Sequence, residues 1–217
     1  MPVTTCVFDA YGTLFDVAAA ARQAAAEPEF SAIRDDWPVL ADHWRLKQLQ
    51  YSWHDDFWVV TQNGLDWALE KTGHADDPAL RDRLLALYWE LQAYSEVPAM
   101  LAALKNGGLN TAILSNGSPA MLQGAVDSAG IGDVLDVSLS VESVGIFKPD
   151  ASVYDLVGRH FGCAANEVLF VSSNGWDAAA ATGYGFSTAW VNRAGEPMDR
   201  LPWTPAHVLS DLTGIPE

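Results

Sequence analysis

Four separated segments of the chain carry side chains suited to chemistry. The first is Phe8-Asp9-Ala10-Tyr11-Gly12-Thr13, a carboxylate followed by a turn and a hydroxyl. The second is Ser115-Asn116-Gly117-Ser118, which offers hydroxyls and a primary amide. The third, Phe147-Lys148-Pro149-Asp150, supplies a cation, and the fourth, Ser172-Ser173-Asn174-Gly175-Trp176-Asp177, ends on a second carboxylate. Singly, each has an ordinary explanation. Asp after a strand is a turn residue, Ser before Pro caps a helix, and Asp in a first helical turn complements the helix dipole. Brought to one place they make something else: a carboxylate able to act as a nucleophile, a lysine to keep it ionised, and hydroxyl and amide donors around it.

A parallel sheet would bring them together. Residues 3–8 form a short apolar, β-branched run ending at Asp9 and read as a buried strand. Residues 110–114, 134–139, 168–171, 188–191 and 206–209 read as further strands, with helices expected over 99–105, 120–129, 152–161 and 177–182. This alternation predicts an α/β core with a parallel sheet covered on both faces. Ligands of such sheets bind at the carboxyl ends of the strands, where Asp9, Ser115 and Ser172 fall.

The alternation is interrupted after the first strand. Helices are expected over 15–26, over one long stretch from Asp35 or Asp36 to about residue 56, over 59–72, and over 78–93 with Asp76 or Asp77 as cap. Pro38 suits the first turn of the long helix. This block, 16–95, reads as a helical subdomain inserted into a core formed by 1–15 and 96–217. On the long helix Ala41, Arg45, Leu49, Ser52 and Trp53 share a stripe by three-to-four spacing, and an arginine within a semi-apolar stripe points to an anion. Trp37, Trp44, Tyr51 and Trp58 recur every seven residues on another face, as a core or dimer seam would. His54-Asp55-Asp56 has the makings of metal ligands but lacks a partner His or Cys at ligand spacing.

Composition narrows the function classes. A chain of 217 residues with nine Trp and 49% hydrophobic residues folds into one or two domains with a real core. Its apolar runs are too short to span a bilayer, and no secretory pattern opens it. Cys6 and Cys163 make no disulfide framework, so a reducing, cytoplasmic setting is expected. A net charge of −16 disfavours nucleic acid and anionic membranes as partners, and an anionic substrate needs a local positive pocket.

The motifs resemble those of the haloacid dehalogenase superfamily. They are Asp9-x-Tyr11-Gly12-Thr13-Leu14, Leu114-Ser115-Asn116-Gly117, Lys148-Pro149-Asp150 and Ser172-Ser173-Asn174-x-Trp176-Asp177. With Trp44-Arg45-Leu46-Lys47-Gln48-Leu49 on the long helix, the chain is similar to the L-2-haloacid dehalogenases within it, from the first strand to about Asn192-Arg193. The resemblance implies a Rossmann-like core with an inserted helical cap. It also implies hydrolysis of short L-2-haloacids to D-2-hydroxyacids through an aspartyl ester, with inversion at C2.

Residue by residue, the resemblance makes Asp9 the nucleophile, kept ionised by Lys148 and oriented by Thr13 and Ser172. Arg45 and Asn116 receive the halide, and Ser115 takes the substrate carboxylate. Asp177, with Asn174, or else Lys148, activates the water. Ala10, Tyr11, Leu49, Tyr154 and Trp176 complete the substrate-binding set. Phe57 or Trp58 would join Tyr11 and Trp176 as apolar wall, and Tyr154 either enters the polar network or packs in the core. Two departures stand out: Thr61 falls near a position where relatives carry a pocket Phe, and Phe147 where Tyr is common. No cofactor or metal is implied.

Most members of the superfamily are magnesium phosphatases, with a second Asp two residues after the nucleophile and acidic residues in the last motif. Here Tyr11, Ser172, Ser173 and Asn174 stand at those places, a poor set for a metal that prefers hard carboxylate oxygens. The alternatives are a ring-opening hydrolase of azetidine-2-carboxylate, a magnesium phosphatase, and a silent binding protein on the same fold. The expected partner is a small 2-halocarboxylate; the aromatic spacing is compatible with a homodimer.

Overall fold

The computed structural model describes residues 2–52 and 55–215. At its centre is a six-stranded sheet of β1 (Thr5–Phe8), β2 (Asn110–Ser115), β3 (Val137–Ser140), β4 (Val168–Ser172), β5 (Ser187–Val191) and β6 (His207–Leu209), in the order β3-β2-β1-β4-β5-β6. Every neighbouring pair is parallel. Strand order reverses between β1 and β4, which opens a crevice at their carboxyl ends. The β1 backbone alternates between two cores: Cys6 and Phe8 enter one apolar cluster, Val7 the other. Burial on both faces explains why β1 is apolar and β-branched without polar alternation.

Helices α5 (Val97–Asn106), α6 (Pro119–Ala129), α7 (Ala151–Phe161) and α8 (Gly175–Tyr184) alternate with these strands. Local chemistry starts them: the Ser118 hydroxyl accepts from the Met121 amide, and the Asp150 carboxylate from that of Ser152. Between β1 and α5 lie α1 (Ala19–Ala26), α2 (Trp37–Tyr51), α3 (Phe57–Thr72) and α4 (Pro78–Trp89), with α2 packed along α3 and α1 against α4. The outgoing and returning chains pair at the base of these helices, through Asp16 N to Gln92 O at 2.9 Å and Tyr94 N to Leu14 O at 3.0 Å.

Three boundaries differ from expectation, each for a local reason. The long helix stops at Tyr51, because the Asp56 carboxylate accepts the Val59 amide at 2.9 Å and so opens α3 instead of closing α2. Ser52 is thus a C-cap, and Trp58 sits on α3 against Trp89, their ring centroids 5.0 Å apart. The seven-residue aromatic series is therefore not one helix face. Trp44 points inward, its Nε1 donating to Thr61 O at 2.8 Å. Trp53 of the expected stripe and His54 of the expected cluster lie outside the described residues. α1 begins at Ala19, not near 15, because the amides of Thr13, Leu14 and Phe15 turn back onto Ala10 O and Asp16 Oδ1 takes the Ala18 amide. α4 ends at Trp89, where the chain turns back toward the sheet.

Among the described residues no helix is long and apolar enough to cross a membrane.

Candidate active site

Asp9 follows β1 directly, its amide bonded to Val171 O of β4 at 2.8 Å, so its side chain stands in the crevice where strand order reverses. Only 7% of the residue is exposed. Lys148 Nζ donates to Asp9 Oδ1 at 3.1 Å, while Thr13 Oγ1 and Asn174 Nδ2 each donate to Oδ2 at 3.1 Å. Thr13 Oγ1 in turn accepts the Ser173 amide at 2.7 Å and lies 3.1 Å from Ser173 Oγ, which ties the turn after β1 to the end of β4.

Lys148 is shared. Its ammonium also donates to Asp177 Oδ2 at 2.9 Å, and Tyr154 Oη donates to Asp177 Oδ1 at 2.8 Å. Lys148 and Asp177 have side chains only 1% exposed. Burial opposes the lysine's charge, but Asp177 and Asp9 outweigh it and raise its pKa above the ordinary value. Burial raises the Asp177 carboxyl, and the charge of Asp9 adds to that against the pull of Lys148.

Arg45 reaches the site from α2. Its Nη2 donates to Tyr11 O at 2.9 Å and lies 3.4 Å from Asn174 Oδ1; its Nη1 donates to Gln48 Oε1 at 2.8 Å. Asn116 Oδ1 accepts the Lys148 amide at 3.1 Å, which orients its Nδ2 away from that contact. Ser115 Oγ accepts the Gly117 amide at 3.1 Å.

Asp9, Tyr11, Arg45, Leu49, Phe57, Ser115, Asn116, Lys148, Asn174 and Trp176 enclose a small cavity of about 20 Å³. Tyr11 forms its apolar floor, stacked on Tyr88 at 5.6 Å between centroids and tilted against Phe57 at 5.0 Å. Burial pushes its phenol well above the ordinary range, so it enters the site neutral. A wider cleft of about 560 Å³ reaches Lys148 from the side of Asp55, Asp56 and Glu142. Its carboxylates make it a poor receiver of an anion. A third, of about 410 Å³, shares Leu49, Asn174 and Trp176 with the cavity.

Sequence and fold comparisons agree on what this arrangement belongs to. Residues 3–185 match the family described as haloacid dehalogenase-like hydrolase. The chain belongs to that family. It is 40% identical to (S)-2-haloacid dehalogenase 1 of Pseudomonas sp. strain CBS-3, covering 100% of this chain and 96% of that one. It is 43% identical to (S)-2-haloacid dehalogenase 4A of Burkholderia cepacia over 88% of this chain and 84% of that one. Among solved structures it is similar to the L-2-haloacid dehalogenase of Xanthobacter autotrophicus with chloropropionic acid covalently bound. The TM-score is 0.87 at 33% identity, over 99% of this chain and 97% of that one.

This hydrolase gathers most of its sequence-predicted residues around one carboxylate, and corrects others. Ser172 makes no hydrogen bond to Asp9; its hydroxyl accepts the Asn174 amide at 3.2 Å, and its neighbour Ser173 meets Thr13. Ala10 is fully buried, and its carbonyl accepts the amides of Thr13, Leu14 and Phe15. Trp58 is turned to Trp89, which leaves Phe57 as the wall residue of that pair. Tyr154 is in the polar network, through Asp177. Thr61 is buried behind the wall and bonded to Gln48 at 2.7 Å, so it makes no alkyl contact there. Gln48, Ser173, Tyr88 and Arg193 were not among the expected site residues. Arg193 Nη2 donates to Thr13 O at 3.2 Å from over the Tyr94 ring.

The magnesium chemistry common on this fold finds no fitting donor set. The space between Asp9 and Asp177 is bridged by the Lys148 ammonium, and the Asn174 amide points its hydrogens at Asp9. A cation there would meet positive charge and N–H donors. Among the described residues, no three His, Cys, Asp or Glu side chains converge as metal ligands.

In this hydrolase Gly117 packs directly against the Tyr11 ring. A Cβ on Gly117 would come 2.7 Å from Tyr11 Cε2 and 3.2 Å from Leu122 Cδ2. Gly117→Ala is expected to destabilise the fold by about 1–3 kcal/mol, as overpacking does, and to slow turnover by shifting the ring against Phe57. Urea unfolding alongside a halide-release assay checks both.

Proposed function

We propose that this hydrolase displaces halide from short L-2-haloacids and releases D-2-hydroxyacids. The observation that carries the reading is Asp9. It is a buried carboxylate held from three sides by Lys148, Thr13 and Asn174, facing a small apolar-walled cavity in which Arg45 and Asn116 supply anion donors. Asp9 attacks C2 from the face opposite the halogen. A C–O bond forms, the carbon–halogen bond breaks, and the centre inverts. The departing halide is received by Arg45 and Asn116, donors aimed where charge develops. The substrate carboxylate is taken by Ser115 and nearby amides. Water then attacks Cγ of the Asp9 ester: a Cγ–O bond to water forms, the bond from Cγ to the substrate oxygen breaks, and the departing alkoxide takes a proton back from Lys148 and leaves as the hydroxyacid.

The water's proton goes to the Lys148–Asp177 pair. Asp177 is closed off from the cavity with both oxygens engaged, so it works through Lys148, which lines the cavity. Once Asp9 is esterified its charge no longer holds the lysine's proton, and a proton passed from Nζ to Oδ2 across 2.9 Å leaves an amine able to accept one from water. Burial favours the protonated form of Asp177 and so helps it hold that proton.

Residues 16–95 act as the cap and 1–15 with 96–217 as the core, and Arg45 is the cap's contribution to the chemistry. The free thiols of Cys6 and Cys163 support a reducing, cytoplasmic setting. A homodimer is part of the reading and sedimentation tests it; Trp44, which points inward, takes no part in a seam.

The deciding experiment offers L- and D-2-chloropropionate separately in buffer containing EDTA. Halide release from the L substrate alone, with D-lactate as product, is the expected result. No release from either chloro- or bromo-acids would overturn the reading.

A further inference from the structure

Arg45 has a support that the motifs do not explain. Its Nη1 donates to Oε1 of Gln48, a residue only 1% exposed. An amide can be built either way round, and a turned Gln48 would present N–H to the guanidinium and repel it. What decides the orientation lies on α3. The Thr61 hydroxyl donates its one hydrogen to Phe57 O at 2.6 Å. Thr61 Oγ1 is therefore only an acceptor toward Gln48, and Gln48 Nε2 approaches it at 2.7 Å. Tyr88 Oη takes the second Nε2 hydrogen at 2.8 Å and donates its own to Oε1 at 3.1 Å; facing both ends of the amide, it does not set the orientation. The polarity runs one way: Phe57 carbonyl, Thr61 hydroxyl, Gln48 amide, Arg45 guanidinium.

We propose that Thr61 and Gln48 are positioning residues for halide departure, Thr61 fixing the Gln48 amide so that its oxygen holds Arg45 Nη1 in place. The inference rests on the haloacid reading of the site and deepens it. Thr61 and Gln48 touch no substrate; they act through Arg45, whose donors are useful only if they already point at the charge as it forms. Loss of that alignment hurts a poor leaving group more than a good one, because chloride leans harder on the donors than bromide does.

The test is the ratio of kcat/KM for L-2-bromopropionate to that for L-2-chloropropionate, measured in competition. This ratio reports the carbon–halogen step and is blind to the fraction of folded enzyme, so a merely structural role would not move it. Thr61→Val keeps the volume and removes the acceptor. It is expected to raise the ratio about three- to tenfold, and Thr61→Ser to restore it. Should the valine variant not fold, Gln48→Met asks the same of the amide, with the same expected rise. An unchanged ratio in either active variant, or a serine variant that behaves like valine, overturns the inference alone. If the unaltered enzyme releases no halide, the haloacid reading falls and the inference with it.

Discussion

Asp9→Asn is expected to abolish turnover, by a factor on the order of 10⁴ or more, while the protein stays folded. The two side chains have nearly the same shape, and an amide oxygen turned to Lys148 keeps that contact. Its nitrogen faces the Asn174 amide and loses that one. The amide cannot displace halide, so the first chemical step has no nucleophile. Halide release measures the loss, and circular dichroism shows whether the fold remains. Retained turnover would remove Asp9 as nucleophile. A companion experiment locates the second step: a single turnover of the unaltered enzyme in ¹⁸O-water should label the Asp9 carboxylate and not the first hydroxyacid formed. Label in the first product instead would mean that water attacks C2 directly.

Lys148→Met is expected to cost about 3–5 kcal/mol of stability near pH 8, and activity with it, because two buried carboxylates lose their shared counter-charge. The cost should shrink toward pH 5. Lys148 has a raised pKa, so its contribution is full below the unfolded value of 10.5 and is lost only as pH climbs through the higher folded value. Between pH 5 and 8 the lysine therefore contributes no slope. The slope comes from Asp177, whose carboxyl burial and Asp9 already raise, and which rises further once Lys148 no longer opposes them. A carboxyl raised in the folded state favours folding at low pH and loses that favour as pH rises through its folded value. Urea unfolding of both proteins at the two pH values gives the difference directly; one that does not change with pH would refute the shared-charge account.

The parallel sheet was legible because its strands are short apolar runs bounded by turn signals, and strand ends locate a site. Asp9, Asn116, Lys148 and Asn174 could thus be placed together from spacing and motif. What stayed hidden depends on which way side chains turn within a few residues. Ser172 and Ser173 are equivalent as letters. Only the last register of β4 decides that Ser172 turns to the Asn174 amide while Ser173 meets Thr13. Asp56 reads equally well as the end of one helix or the cap of the next, and a single hydrogen bond to Val59 settles it. Gln48 had a usable signal: it lies four residues after Trp44 and eight after Leu40, on the buried face of α2. A polar residue there must be bonded, and the partners sit on α3 and α4, too far along the chain for local periodicity to name.

The groups gathered on Asp9 come from widely separated parts of the chain: Lys148 is 139 residues away and Asn174 is 165. During synthesis Asp9 and Thr13 leave the ribosome early, and the counter-charge of Lys148 and the amide of Asn174 arrive in the final third. Until β4 docks beside β1, the growing chain carries an aspartate that lacks its lysine and its asparagine. Regained turnover is thus a sensor of completed topology: a refolding mixture with native helix content but an unclosed sheet would be spectroscopically half-formed and chemically silent.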